Sequence, residues 1–178
     1  MTTVVHVKGS PAGPISRGVL FIHSCPRALS PHVEWSLARV VGSSMSMNWS
    51  DQPIEPGSVR AEAIWHGPAG TAARFTSALL AFTGARFEVT EDPSAGREGE
   101  RFSVTGNLGL FRATIGVHGD VMVSEERLKS ALQHGRSAGP SVLAAEISKL
   151  IGTPWDEELE PFRCGQADST VRVLPKVV

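Results

Sequence analysis

His23, Cys25, Arg27, His32 and Glu34 fall in one short stretch, where an apolar run ends at Pro26 and the pair Ser30-Pro31 opens a helical pattern. Two chemistries follow from these residue types. A strand end beside a helix N-terminus presents free N–H groups and the positive end of a dipole to an anion, with Arg27 and His32 as side-chain partners. Alternatively, a thiol beside an imidazole forms an activated nucleophile, because a nearby base or a helix N-terminus lowers the thiol pKa. The plain reading is that His23 and Cys25 end a strand while His32 and Glu34 decorate a helix start. Pro26 directly after Cys25, with no third partner in sequence, favours it.

A second cluster is the turn Gly116-Val117-His118-Gly119-Asp120, where Asp120 can orient His118 as a general base. Two glycines with an aspartate cap make the same turn for purely local reasons, and turn chemistry favours that account. Gly67-Pro68-Ala69-Gly70-Thr71 sits between a strand and a helix, where phosphate loops lie and where backbone amides can cradle an anion. No Walker lysine follows, and the spacing fits neither the P-loop nor the dinucleotide fingerprint. A KH-type GXXG loop would need a helix, not a strand, before it. Cys25 and His32 with His66 or His118 lack any CxxC or HxxxH spacing, so no metal, cofactor or catalytic residue is assigned.

The composition narrows the classes further. Seventeen basic against 18 acidic residues give a net charge of −1, with no basic block, which argues against a phosphate-tracking nucleic-acid surface. No apolar run reaches the length of a membrane span, and the N-terminus lacks the pattern of a signal peptide, so a cytoplasmic protein without membrane contact is expected. Two cysteines, Cys25 and Cys164, do not indicate a disulfide framework.

These candidates must be positioned by elements that the periodicity supplies. Residues 1–17 carry Gly9, Pro11, Gly13 and Pro14 and read as a flexible arm, in which 4–7 can at most add an edge strand. Residues 18–91 then alternate strand and helix. An apolar strand at 19–23 precedes a helix capped by Ser30, with Val33, Leu37, Val40 and Val41 on one face and Gly42 as its stop. Half-buried strands follow at 45–50 and 59–66, then a helix over 71–82 and a strand over 86–90. The order β-α-β-β-α-β is a split βαβ, or ferredoxin-like, unit of the α+β class. Trp65 falls on its inward face and Arg60, Glu62, Ile64 and His66 point outward, which argues against RNA stacking. Residues 92–100 read as a linker loop, 101–163 as a hairpin-plus-helices extension, and 164–178 as a tail.

The segments Phe21-Ile22-His23-Ser24-Cys25-Pro26, Ser30-Pro31-His32-Val33-Glu34-Trp35 and Phe87-Glu88-Val89-Thr90-Glu91-Asp92-Pro93-Ser94-Ala95-Gly96, together with the His118 turn, carry a family resemblance. The chain resembles, over roughly residues 17–165, a family of small actinobacterial proteins catalogued as a domain of unknown function, DUF3145. The resemblance implies an intracellular setting in high-GC Gram-positive bacteria and brings no catalytic residue or ligand with it.

The functional expectation is a non-catalytic interaction or regulatory module that meets another cytoplasmic protein or a second copy of itself. Trp49 and Trp155, with Leu159 and Phe162 in the acidic stretch that Trp155 opens, are the candidate anchors. The alternative is a small-molecule site for an anionic ligand, enzymatic or sensory, built from His23, Arg27, His32, His118 and Asp120. It requires His23, His32 and His118 to converge in one pocket.

Overall fold

The computed structural model describes residues 2–8 and 14–164. One mixed sheet runs through them, with strands β1 (Thr3–His6), β2 (Ile15–Pro26), β3 (Ser50–Asp51), β4 (Ser58–Pro68), β5 (Arg86–Glu91), β6 (Gly99–Thr105), β7 (Gly109–Ile115) and β8 (Val121–Met122). The spatial order is β1-β4-β2-β5-β6-β7-β8, with β3 also paired to β4. Only β1 runs parallel to its neighbour. The helices are α1 (Ser30–Val41), α2 (Thr71–Leu79), α3 (Glu125–Ala138), α4 (Pro140–Ile151) and α5 (Thr153–Cys164). The protein is therefore of the α+β class.

Alternation along β2, β4 and β5 sends Leu20, Ile22, Ala61, Ala63, Trp65, Phe87 and Val89 to one face, where they join Val33 and Leu37 of α1 and Phe75 and Leu79 of α2 in the core. Gly18 is required at the crossing of β2 and β5, because a Cβ there would lie 1.8 Å from the carbonyl oxygen of Thr90 and 2.6 Å from the Trp65 ring. The second face carries α5 over β6 and the neighbouring end of β2.

Several expectations need correction. The strand expected over 45–50 shrinks to Ser50–Asp51, because β1 takes the edge of β4 from Ala63 to His66 while β3 reaches only Val59 and Arg60. Ser30 does not cap α1: its hydroxyl donates to the Arg27 carbonyl at 2.9 Å, and a 3-10 turn, Arg27–Leu29, leads into the helix. The arm expected over 1–17 is partly sheet, since β1 and the first residues of β2 lie within it. Residues 92–98 close a hairpin instead of separating subdomains, because β5 and β6 pair from Phe87↔Val104 to Glu91↔Glu100. The tail from 165 onward lies outside the described residues.

Candidate functional site

On the second face of the sheet, the alternation that buries Phe87 and Val89 places Glu88 beneath α5. There Oε2 of Glu88 lies 2.7 Å from Nε2 of His23 and accepts from Nε of Arg163 at 3.0 Å, while Oε1 accepts from Arg101 at 2.8 Å, Arg163 at 2.6 Å and the Ser103 hydroxyl at 3.2 Å. Asp156 of α5 bonds both arginines. Burial alone would raise the pKa of Glu88, but His23, Arg163 and Arg101 outweigh it and hold the carboxyl well below its ordinary range. Both oxygens of Glu88 are engaged, so the cluster clamps α5 to β2, β5 and β6.

Cys25 is fully buried in the core, and burial pushes its thiol up to about 11. A thiol held protonated in this way is no nucleophile at neutral pH, which removes the Cys–His chemistry. Arg27 is exposed and bonds Asp51. His32 lies on the outer side of α1, edge-on to the Trp35 ring at 5.0 Å. Glu34 is internal in function: its carboxylate accepts from the Met47 N–H at 2.7 Å and from Nε1 of Trp49 at 2.9 Å, holding the 43–49 segment against α1. His118 and Asp120 sit in an exposed turn in which the Asp120 carbonyl accepts from the Gly116 N–H at 2.9 Å. No hydrogen bond joins the Asp120 carboxylate to His118 among the described residues. His118 borders a cleft of about 540 Å³ with Arg17, Thr90 and Val117. His23 borders a different cleft, so the three histidines do not meet.

The four anchors expected to meet a partner are largely used within the chain. Leu159 is fully buried and Trp49 is tied to Glu34. Trp155 donates to the Gly109 carbonyl at 3.0 Å with its ring 5.1 Å from that of Phe111, and Arg86 lies 4.5 Å over the Phe162 ring.

The glycine-rich loop before α2 does hold an anion, but an internal one. The Glu91 carboxylate accepts from the N–H of Gly70 at 2.7 Å and of Ala72 at 3.0 Å, filling the helix N-terminus. Among the described residues no group of three or more His, Cys, Asp or Glu is placed to hold a metal ion. No helix of the described residues is long and apolar enough to cross a membrane.

Sequence reasoning missed Glu88, Arg101, Asp156 and Arg163 as a set. The alternation does point Glu88 outward, and the acidic, aromatic-spaced run at 155–162 does mark α5. What joins them is the position of α5 on the sheet, which no local pattern encodes.

A model for a family described as a protein of unknown function, DUF3145, matches residues 19–176. The chain belongs to this family. The DUF3145 match begins within β2 and takes in every later element through α5, so the Glu88 clamp and the outer helices all fall within the family region. No curated protein and no solved structure matches the chain.

Proposed function

We propose that the chain is a non-catalytic cytoplasmic interaction module that assembles through the hairpin of α3 and α4, with a second copy of itself as the occupant. The observation that carries this reading is that α4, an apolar helix with only Glu146 and Lys149 charged, has no buried residue. Leu143 of α4 lies against Gly135 of α3, where a Cβ would come within 2.6 Å of it. Leu128 and Leu132 on α3 remain 39% and 48% exposed, and Ile147 and Ile151 on α4 39% and 41%. At about 100° per residue, Leu128 and Leu132 lie about 60–100° round from Ala131, and Ile147 and Ile151 about 40–80° round from Leu143 in the same sense. In helices that fold back on each other, equal rotations point to the same side, so the four side chains form one apolar stripe.

Charge favours a second copy as the cover. Helix α3 begins with Glu125, which pairs with Lys129 one turn on, and Glu126, and ends with Arg136. Two copies related by a two-fold axis, with their α3 helices antiparallel, set each acidic first turn against a basic last turn and bury the stripe between them. The order β5-β2-β4-β3, with α1 and α2 on one face, also supports reading the N-terminal half as a split βαβ unit. That scaffold often serves assembly, which is an argument from fold alone.

Sedimentation velocity over about 1–100 μM tests the proposal, since a dimer's population follows concentration. The expected result is a dimer that Leu132→Glu with Ile147→Glu converts to a monomer of unchanged circular dichroism. A wild-type chain that stays monomeric across the range overturns it.

A further inference from the structure

The last three helices hold to the sheet unevenly. Helix α3 packs on α4 and α4 on α5, but neither α3 nor α4 has an extended contact with a strand. Among the described residues, the run 125–164 therefore meets the sheet through α5 and through Gly152 just before it, which rests on the Phe111 ring. Val123 and Ser124 join this run to β8. No side chain of α5 belongs to the core that α1 and α2 form with the first face of the sheet.

What α5 rests on is mostly polar. Leu159 is fully buried, but Trp155 and Phe162 are only half-buried. The other contacts are made by charges and polar groups: Arg101 with Asp156, Arg163 with Glu88, and Glu158 accepting from Thr105 and from Asn107, each at 2.9 Å. Groups of this kind regain hydrogen bonds from water when they are uncovered, whereas core side chains regain nothing.

The clamp also divides into two halves that are each paired within themselves. On the sheet, Glu88 keeps His23 at 2.7 Å, Arg101 at 2.8 Å and Ser103 at 3.2 Å. On α5, Arg163 keeps Asp156 at 2.8 Å and Glu160 at 3.5 Å. Parting the two surfaces leaves neither with an uncompensated charge, the state that makes breaking a buried ion pair so costly. Few apolar contacts and self-paired charges are the conditions under which an element opens well below global unfolding. We propose that residues 125–164 form a strap that opens as one unit about Val123 and Ser124 while the core stays folded. Closed, the strap covers the strip of His23, Glu88, Arg101 and Ser103, so it gates that strip against any partner.

The test is hydrogen exchange of the ¹⁵N-labelled full chain, followed by NMR in urea concentrations below the unfolding transition. The amides of α5 should exchange at least about tenfold faster than the slowest of β2 and β5, through one shared opening. Its urea dependence should be above zero but shallower than theirs, because less surface is exposed. Ile22→Val lies in the core that stays folded, so it should speed β2 and β5 by about 2–10-fold and leave α5 unchanged. Leu159→Ala, within the strap, should speed α5 by about tenfold or more. If α5 matches β2 and β5 in urea dependence and Ile22→Val speeds all three equally, the helix leaves the sheet only on global unfolding and the proposal is overturned. Exchange of α5 amides one by one with no urea dependence is fraying, and overturns it as well.

Discussion

Glu88 occupies a strand position that points away from the main core, yet it is among the most completely bonded side chains described. A buried carboxylate with five hydrogen-bonding contacts from two arginines, a histidine and a serine has its desolvation offset, but only while all of them remain. Glu88→Gln removes the buried charge that both arginines share and leaves Arg101 with Asp156, and Arg163 with Asp156 and Glu160, as their carboxylate partners, so a loss of about 1–3 kcal/mol in urea unfolding is expected. The pH dependence follows from the sign of the shift. Folding lowers the carboxyl's pKa from its ordinary 4.5, so the stabilisation is complete above about pH 4.5 and is lost as pH falls through the folded value. The gap in stability between wild type and Glu88→Gln should narrow as pH falls below about 4.5. Cys25 gives a second test at this scale. With its thiol pushed up to about 11 and no exposed surface, it should resist a thiol reagent at pH 8 in a Cys164→Ser background until urea unfolds the chain.

At the scale of elements, α2 depends on a residue from another strand. Its N-terminus receives no cap from its own neighbours, because Gly70 occupies the cap position with φ 91°, and the Glu91 carboxylate from the end of β5 supplies the acceptor. Glu91→Ala should cost about 1–2 kcal/mol, the usual worth of a cap. In a chain of this size that is about 2–8 °C in the thermal midpoint, read by circular dichroism. The same pair shows what could and could not be read from sequence. The loop at 67–71 was legible as an anion cradle, since glycine before a helix exposes amides. That the anion would be Glu91 depends on β5 returning beside β2, which is a tertiary fact. The helix stop at Gly42 was legible because it is local. The strand expected over 45–50 was not, because Met45, Met47 and Trp49 alternate as a strand would but lose most of the β4 edge to β1. Arg60 and Glu62 were legible as outward-facing residues, whereas the cleft that they line with Phe162 of α5 is a tertiary fact.

At the scale of the whole molecule, the sheet and its two packed faces differ sharply from the outer hairpin. β2, β4 and β5 are paired on both edges and α5 is locked by the Glu88 clamp, while α3 buries only Ala131 and Gly135 and α4 buries nothing. Local opening free energy falls where few apolar contacts hold an element, so in a monomer the amides of α3 and α4 should exchange with solvent well before those of β2 and β5. Self-association changes that order in a way that depends on concentration. If a second copy covers Leu128, Leu132, Ile147 and Ile151, hairpin amides should gain protection by about tenfold for each tenfold rise in the fraction ratio of dimer to monomer, while core amides stay unchanged. Hydrogen exchange followed by mass spectrometry at two protein concentrations reads both effects at once. Hairpin protection that does not move with concentration in the wild type, or that moves equally in Leu132→Glu with Ile147→Glu, would count against a second copy as the cover of this face.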